Sequence, residues 1–453
     1  MNYQQAVDYV ISQTDYERLA GHNKAPPKFD LGRMEALLEM LGNPQNSTPA
    51  VHVAGTKGKG STCAIIAQVL QEAGYLTGLY TSPHLHTMRE RIRLNGRLIS
   101  EANFAAHVGQ VKEAAEEVNA TGVYSPVSTF EILTAGAFCY FKSAGAQFQV
   151  LEVGLGGRLD ATNVVTPKVS VITSLSLDHM EVLGSTLHEI AGEKAGIIKR
   201  GVPLVASPQK EEALAVLKDI ASERGAPLVL AGRDITWEPR SRDLKGQSFV
   251  ARSRTRAYDL WMPLLGDHQL ENAATALGAL EQLIAEGFAI SPGAIVQGFR
   301  KVSWPGRLEV LKRAPTVVVD GAHNTYSAER LAEAVMHLFS YERLILVVGM
   351  NSDKDVHGIV SALAKLRPYV VATASRYPKA APPETLLSLF SSNGLEGEIK
   401  SSVAEAMGSA LRLAGGKDMI LATGSLFVVA EAIEEVKGIK AELYPTLERP
   451  KDV

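Results

Sequence analysis

The chain has 453 residues, of which 46% are hydrophobic and 21% charged, and its formal net charge is −3. These values predict a soluble globular protein of two or three domains, and they exclude the basic surface expected of a binder of nucleic acid or anionic membranes. With two cysteines, no signal sequence and no apolar run of about 20 residues, we expect a cytoplasmic protein without disulfides, a monomer by default.

The N-terminal region is predicted to contain two helices with a polar loop between them. Apolar residues recur at helical spacing over residues 3–14 and again over residues 31–41. The intervening residues 21–30 contain prolines and a glycine, which exclude regular structure. Long loops of this composition often contact ligands, but a solvated connector fits the composition equally well.

A glycine-rich stretch at residues 51–62 is predicted to bind phosphate. A short apolar run, typical of a buried strand, turns through glycines and lysines into residues 63–70, which have helical spacing. This arrangement directs backbone N–H groups and a helix N-terminus at phosphate, whereas a turn that binds nothing would not explain Lys59. The standard phosphate loop has a hydroxyl directly after the lysine, but here Gly60 comes first and Ser61 second. We therefore expect a bound metal to take ligands from elsewhere in the chain.

After this loop, helix and strand patterns alternate, which predicts an α/β domain with a parallel sheet. Near-continuous apolar runs predict strands at residues 76–80, 148–153 and 169–173. Polar residues gather at the ends of these strands, where open α/β sheets bind ligands; they are Ser82, Glu152, Asp160, Asp178 and His179. The oxygen ligands of Ser82 and Glu152 suit Mg²⁺, whereas a lone histidine is more often a capping or core residue.

Residues 302–453 are predicted to form a separate domain, after a segment of different character that ends the first. Alternating polar and apolar residues at 235–263 predict a small antiparallel patch, and an alanine-rich helix follows. Residues 302–307 are the predicted hinge between domains 1–301 and 302–453. Beyond the hinge the strand–helix alternation restarts, which predicts a Rossmann-like α/β domain without a phosphate loop of its own.

Three further residues are candidates for the site. Asp320 and His323 follow a buried strand of the second domain and are expected to face the interdomain cleft; a tight turn would explain the glycine between them but not His323. Lys194 lies at the end of a mostly apolar helix pattern, and its composition alone favours a surface lysine.

A set of motifs in order along the chain resembles the folylpolyglutamate synthase and dihydrofolate synthase family, a branch of the Mur ligase superfamily. The motifs are residues 55–61 (GTKGKGS), 81–85 (TSPHL), 152–163 (EVGLGGRLDATN), 178–179 (DH), 193–197 (EKAGI), 304–307 (WPGR) and 320–324 (DGAHN). The resemblance covers nearly the whole chain, and the displaced hydroxyl of the phosphate loop is this family's own variant. Lys57 stands where many members have asparagine, a minor departure.

The resemblance implies an ATP-dependent amide ligase with Mg²⁺, and two such ions are expected. The γ-phosphoryl group of ATP would pass to a carboxylate of the folate substrate, and the amine of L-glutamate would then displace phosphate from the acyl phosphate. The acceptor would be tetrahydrofolate, dihydropteroate or both. Because the two halves of the ATP site would lie on separate domains, closure on substrate binding is expected.

The resemblance also implies roles for individual residues. The triphosphate would be held by Gly58, Lys59, Gly60 and Ser61, and other parts of ATP by Asn272, Arg307 and Asp320. The metal ligands would be Ser82, Glu152 and His179. The pterin pocket would be formed by Phe29, Asp30, Leu31, Gly32, Thr129, Phe130, Glu131 and Asp160. Lys194 matches a lysine that becomes a carbamate in relatives, which would make it a ligand of the second Mg²⁺. His323 matches a histidine near the reaction centre, with no role assigned beyond orientation, and Lys59, Lys194 and His323 form the predicted catalytic set.

Other functions remain open on the sequence alone. A Mur-type ligase for cell-wall precursors or another glutamate acceptor belongs to the same superfamily, although residues 27–34 and the Gly60–Ser61 variant argue against it. A kinase or hydrolase with a phosphate loop would turn over ATP without glutamate, but it would leave Asp320 and His323 unexplained. A non-catalytic nucleotide-binding scaffold would not need the full set of chemical residues.

Overall fold

The computed structural model describes residues 1–14 and 29–444, which form three β-sheets with helices packed on them. Of the predicted polar loop at residues 21–30, only Phe29 and Asp30 belong to the described residues, and the rest of the loop lies outside them. The predicted α/β class is confirmed, because the N-terminal part contains a mostly parallel sheet and the C-terminal part contains a separate, mixed sheet.

The first sheet is the largest and carries the predicted phosphate loop. Its strands are β1 (Ala50–Ala54), β2 (Thr77–Tyr80), β3 (Ile92–Leu94), β4 (Arg97–Leu98), β5 (Phe148–Glu152), β6 (Val169–Ile172), β7 (Leu204–Ala206) and β8 (Leu228–Leu230). They lie in the order β4-β3-β2-β5-β1-β6-β7-β8, and only the pairs β2–β3 and β3–β4 are antiparallel. The predicted strands are β2, β5 and β6. Because β5 and β6 flank β1, their carboxyl ends lie beside the end of β1.

Helices cover both faces of the first sheet. They are α1 (Tyr3–Ser12), α2 (Leu31–Met40), α3 (Lys59–Glu72), α4 (Glu101–Ala120), α5 (Thr129–Ser143), α6 (Met180–Leu183), α7 (Leu187–Ala195), α8 (Glu211–Glu223), α9 (Asp267–Ala285) and α10 (Pro292–Lys301). Short 3₁₀ helices lie at Pro44–Ser47, Met88–Arg91 and Ala161–Val164. Side chains alternate across a strand, so Val51 and Val53 pack under α3 and α9. Ala50 faces α2 and α5 on the opposite side, and Ala54 faces α7 and α8.

A second, antiparallel sheet is present where the alternating pattern predicts it. It consists of β9 (Thr236–Asp243), β10 (Gly246–Arg252) and β11 (Ala257–Met262), in the order β11-β10-β9. Alternate residues of β11 are buried, and Tyr258, Leu260 and Met262 join the core that also contains α9 and α10.

The third sheet forms the core of the C-terminal part. Its strands are β12 (Glu309–Arg313), β13 (Thr316–Val319), β14 (Leu344–Val348), β15 (Tyr369–Ala372), β16 (Gly397–Ile399) and β17 (Met419–Thr423), in the order β12-β13-β17-β14-β15-β16. Only β12 is antiparallel to its neighbour. The helices around it are α11 (Thr325–Leu338), α12 (Val356–Ala364), α13 (Pro383–Ser392), α14 (Val403–Leu413) and α15 (Leu426–Lys437).

The predicted hinge, residues 302–307, connects α10 to β12 and so joins the two large sheets. The domain bounds 1–301 and 302–453 remain a prediction. Within residues 1–14 and 29–444, the helices are too short or too polar to cross a membrane.

Candidate active site

The predicted phosphate loop connects the end of β1 to the N-terminus of α3. Gly58 has a φ of 89°, a left-handed conformation that favours glycine, and it precedes the first helical residue. A β-carbon on Gly58 would collide with the side chain of Asn272 from α9. The Lys59 ammonium donates to the carbonyl of Gly55 at 3.2 Å, and the buried hydroxyl of Thr62 has no hydrogen-bond partner within the described part of the chain. The loop therefore offers a helix N-terminus and a cation to an anionic ligand.

An open cleft of about 2070 Å³ runs from this loop to the third sheet. Twelve of the predicted site residues line it: Gly58, Lys59, Gly60, Ser61, Ser82, Glu152, His179, Lys194, Asn272, Arg307, Asp320 and His323. The residues predicted to bind ATP, those predicted to bind the metal and those predicted to be catalytic thus line one cavity. They come from the segments around both large sheets.

Ser82 and Glu152 form the side of the cleft that suits a hard cation. They follow β2 and end β5, which are neighbouring strands, and the Ser82 N–H donates to a Glu152 carboxylate oxygen at 3.1 Å. Burial raises the pKa of Glu152, an effect that the positive charge of Lys59 opposes. The remaining carboxylate lone pairs fit an ion that also takes phosphate oxygens and water as ligands. Among residues 1–14 and 29–444, there is no cluster of three or more His, Cys, Asp or Glu side chains placed to hold a metal by themselves.

His179 and Lys194 lie farther along the same wall. His179 has a left-handed backbone conformation, with a φ of 49°, and its side chain is 45% exposed. Lys194, on α7, is 5% exposed, so the surface position that its composition favours is wrong. Burial and the nearby charge of Lys59 lower the pKa of Lys194 to about 7, so a large part of its amine is uncharged near neutral pH. An uncharged amine is the form that reacts with carbon dioxide to give a carbamate.

The opposite wall of the cleft is the turn after β13. The carboxylate of Asp320 accepts hydrogen bonds from the N–H groups of Leu308 at 2.8 Å and Ala322 at 2.9 Å, which ties the residue directly after the predicted hinge to this turn. His323 Nδ1 lies 2.8 Å from the carbonyl oxygen of Gly321. Because a carbonyl only accepts, Nδ1 carries the proton and Nε2 presents a lone pair to the cleft.

A smaller cavity of about 500 Å³ adjoins the cleft. Of the predicted pterin-pocket residues, those on its wall are Phe29, Asp30, Phe130, Glu131 and Asp160. Leu155 lines both this cavity and the large cleft, so the two spaces meet at that residue. Burial raises the pKa of Asp160, which bridges the N–H groups of Leu155 and Thr162.

Three of the predicted pocket residues do not line the small cavity. Leu31 and Gly32 lie in the first turn of α2, behind its capping residue Asp30, and the Thr129 hydroxyl donates to carbonyl oxygens at the end of α1. Glu131 is on the wall, but its carboxylate is held by Arg33, at 2.8 and 2.9 Å.

Two charged residues to which the sequence gave no role, Lys57 and Asp178, also line the cleft. The Lys57 ammonium lies 2.9 Å from a carboxylate oxygen of Asp178 and 3.3 Å from His323 Nε2. Although burial raises the pKa of Asp178, the charge of Lys57 holds it well below its usual range. The sequence does show a lysine within the phosphate loop, which could have marked Lys57 as a site residue. The partners of its side chain cannot be read in this way, because they depend on the order of strands in the sheet.

Comparison with known proteins shows to which family this chain belongs. Residues 53–280 match the Mur ligase middle domain, and residues 306–426 match the glutamate ligase domain of Mur ligases. The chain is 38% identical over 421 residues to the dihydrofolate synthase/folylpolyglutamate synthase of Bacillus subtilis, which covers 92% of this chain and 97% of that protein. It is 34% identical over 444 residues to the folylpolyglutamate synthase of Lacticaseibacillus casei, which covers 97% of this chain and 100% of that protein.

Solved structures agree over the same length. A Mycobacterium tuberculosis folylpolyglutamate synthase complexed with ADP superposes with a TM-score of 0.88 at 32% identity and covers 97% of this chain and 99% of that one. The Escherichia coli protein FolC in complex with DHPP and ADP gives a TM-score of 0.85 at 31% identity and covers 97% and 98% of the two chains.

Proposed function

This chain belongs to the folylpolyglutamate synthase and dihydrofolate synthase family of Mur ligases, and we propose that it is an ATP-dependent, ADP-forming ligase that joins L-glutamate to folates. The observation that carries this proposal is the meeting of the two cavities at Leu155. A folate whose ring occupies the small cavity can extend its carboxylate past Leu155 toward the phosphate loop. Residues 1–301 and 302–453 are the proposed domains.

The first proposed step is phosphoryl transfer. An oxygen of the folate carboxylate attacks the γ-phosphorus of ATP, the bond to the bridging oxygen breaks, and ADP leaves with that electron pair, which gives an acyl phosphate. Lys59 and the N-terminus of α3 lie where negative charge accumulates, and Arg307 adds a cation from the second domain. Gly58, Gly60 and Ser61 allow the backbone to approach the triphosphate, and Asn272 and Asp320 are proposed to contact the rest of the nucleotide.

The second proposed step forms the amide bond. The uncharged amine of L-glutamate attacks the acyl carbon and a tetrahedral species forms. Phosphate then leaves with the electron pair of the broken C–O bond and takes up the proton that the amine nitrogen loses. His323 lines this space and its ring is held at both nitrogens, by Gly321 and Lys57, so His323 is proposed to orient the reacting groups there.

Mg²⁺ fits this site as an ion that enters with the nucleotide, and its charge would offset that of the phosphate oxygens. Ser82, Glu152 and His179 are proposed to hold the first ion. A carbamylated Lys194 is proposed as a ligand of the second. The buried carboxylate of Glu152 and the lowered pKa of Lys194 support these assignments.

A second activity, the conversion of dihydropteroate to dihydrofolate, is supported by two relatives. The Bacillus subtilis protein has both activities in its name, and the Escherichia coli protein has been solved with DHPP. The same chemistry would apply, with the carboxylate of dihydropteroate as the acceptor.

The test is glutamate-dependent phosphate release, measured with tetrahydrofolate and, separately, with dihydropteroate. We expect release with tetrahydrofolate that requires both ATP and L-glutamate. Release without glutamate would instead indicate a kinase or hydrolase. The absence of release with either folate would overturn the proposal.

A further inference from the structure

Lys57, at the tip of the phosphate loop, contacts residues from both large sheets. Its ammonium donates to a carboxylate oxygen of Asp178, in the segment after β6, at 2.9 Å. The same ammonium lies 3.3 Å from Nε2 of His323, in the turn after β13. Lys57 is thus a cation of the first domain that reaches across the cleft.

The proton positions on His323 make this contact a directional hydrogen bond. Nδ1 donates to the carbonyl of Gly321, so Nε2 is the acceptor and the Lys57 ammonium is the donor. The imidazole ring is therefore fixed at both nitrogens, one by its own turn and the other by the phosphate loop.

Asn324 adds a second link between the same two elements. Its side-chain N–H donates to the Asp178 carboxylate oxygen that Lys57 also contacts, at 3.3 Å. Its side-chain oxygen caps α11 by accepting from the N–H of Ser327 at 2.9 Å. The position of α11 in the second domain is thereby connected to Asp178 in the first.

This group of side chains is sheltered from solvent. The Lys57 side chain is 21% exposed and that of Asp178 is 12% exposed, which distinguishes the pair from the flexible ion pairs of the surface. A sheltered network with two independent hydrogen bonds across the cleft favours one arrangement of the domains over others.

We propose that Lys57 is a positioning residue that, through Asp178, docks the His323–Asn324 turn of the second domain onto the phosphate loop. This inference rests on the proposed ligase function, because the docked arrangement is the one that brings His323 and Arg307 of the second domain to the phosphate loop, where phosphoryl transfer is proposed to take place. Lys57 acts through these partners, so its loss affects the assembly of the site rather than the cradle formed by Lys59 and the loop backbone.

The first experiment compares Lys57→Met with a matched control. Lys57→Met keeps the length of the side chain and removes its charge and donors. The control, Lys301→Met, removes an ion pair of 2.7 Å between Lys301 and Glu72, which lies near the hinge but joins α10 to α3 within the first domain. Glutamate-dependent phosphate release gives kcat, and titration with a non-hydrolysable ATP analogue gives the nucleotide Kd.

We expect Lys57→Met to lower kcat by about 10- to 100-fold, because a misplacement of about 1 Å has effects of this size on reacting groups. The Kd of the ATP analogue should change by less than about threefold, since Lys59 and the N-terminus of α3 remain. Lys301→Met should leave both values unchanged.

The second experiment approaches the same contact from the other domain. Asn324→Ser keeps a hydroxyl that can cap α11 but removes the amide donor to Asp178. It should lower kcat as well. The double variant Lys57→Met/Asn324→Ser should be no slower than Lys57→Met alone, because residues of one network are not additive.

Three outcomes would overturn the inference. These are a kcat of Lys57→Met within twofold of the parent enzyme, a rise in Kd that matches the fall in kcat, and additive effects in the double variant. The second outcome would make Lys57 an ordinary phosphate ligand. Should Lys57→Met fail to fold, Asn324→Ser alone still decides, since unchanged turnover in that variant contradicts docking through Asp178. A parent enzyme that is inactive with every folate would instead overturn the proposed function.

Discussion

The indole ring of Trp304 packs against Gly60, and a β-carbon on Gly60 would come within 2.7 Å of that ring. Trp304 belongs to the predicted hinge, and the guanidinium of Arg93 lies 6.0 Å from the centre of the same ring. The standard phosphate loop has serine or threonine directly after its lysine, and both have a β-carbon. Contact with the hinge tryptophan therefore explains why glycine follows Lys59 in this chain and the first hydroxyl comes one residue later.

Gly60→Ser, which restores the standard loop sequence, is expected to be harmful. The new side chain must displace Trp304 or shift α3, and overpacking of this kind costs about 1–3 kcal/mol of unfolding free energy. Urea denaturation followed by tryptophan fluorescence measures the change.

Gly293→Ser is the matched control for this variant. Gly293, like Gly60, is the second residue of its helix, but the nearest atom to an added β-carbon is the Ser291 hydroxyl at 3.7 Å. Equal effects of the two substitutions would show that helix propensity, and not the contact with Trp304, determines the cost.

The enzyme is expected to need bicarbonate for full activity, because bicarbonate supplies the carbamate proposed on Lys194. Its pKa of about 7 means that the uncharged amine predominates above neutral pH and is lost as the pH falls below it. Enzyme freed of carbon dioxide should therefore regain glutamate-dependent turnover on addition of bicarbonate, and regain it more completely at pH 8 than at pH 6. Labelled bicarbonate would identify the carbamate by NMR.

Lys194→Ala provides the control for the bicarbonate effect. We expect this variant to lose turnover that added bicarbonate does not restore. Unaffected turnover of Lys194→Ala, or a parent enzyme whose turnover does not respond to bicarbonate, would exclude a carbamate at this position.

Glu131→Gln is expected to destabilise the fold. Arg33 is 1% exposed, and its Nε–H lies 2.8 and 2.9 Å from the two oxygens of the Glu131 carboxylate, which also accepts from the N–H and hydroxyl of Ser128. Breaking a buried ion pair by removing one partner costs about 3–5 kcal/mol.

Chemical denaturation of Glu131→Gln measures this cost, with Glu189→Gln as the control because Glu189 caps α7 on the exposed surface. Equal stabilities of Glu131→Gln and the parent protein would contradict the structural role. In that case the carboxylate would be free to serve the ligand in the small cavity.

The sequence predicts the buried strands well because their apolar runs are nearly uninterrupted. Thr77–Tyr80, Phe148–Glu152 and Val169–Ile172 each end within one residue of the predicted bounds, and all three pair in parallel with a neighbouring strand of a sheet covered by helices on both faces. The short strands Ile92–Leu94 and Arg97–Leu98, at one end of the first sheet, are missed because arginines interrupt their apolar pattern. Arg97–Leu98 is also an edge strand, so one of its sides lacks a neighbouring strand.

The residues of the candidate site likewise divide into those that the sequence identifies and those that it does not. Motif residues such as Lys59 and Glu152 are identifiable from the sequence, since their place at a strand end is a local property. The contacts of Lys57 are not, because Asp178 and His323 lie 121 and 266 residues away and meet Lys57 only through the sheet order and the orientation of the second domain. Glu131, predicted to bind substrate, lines the small cavity and also forms an internal ion pair with Arg33 that the sequence does not indicate.

The titration of His323 reports directly on Lys57. The pKa of His323 is lowered to about 3, first by the charge of Lys57 and then by burial, whereas the Gly321 carbonyl and the Asp178 carboxylate raise it and Arg307 lowers it further. Lys57→Met removes the largest of these effects, so the pKa of His323 should move up toward 6.5. Histidine NMR between pH 4 and 8 would follow the imidazole, with Lys301→Met expected to titrate like the parent protein.

The same shift has a defined sign for stability. A folded pKa below the unfolded value of 6.5 means that the unfolded chain binds more protons at this histidine, so its contribution to stability is present above pH 6.5 and is lost as the pH falls toward 3. In Lys57→Met the two pKa values lie closer together, so the pH range over which His323 loses its contribution to stability becomes narrower. The unfolding free energy lost to acid at this histidine becomes smaller. An imidazole that titrates identically in Lys57→Met and the parent protein would show that Lys57 does not contact His323 in solution.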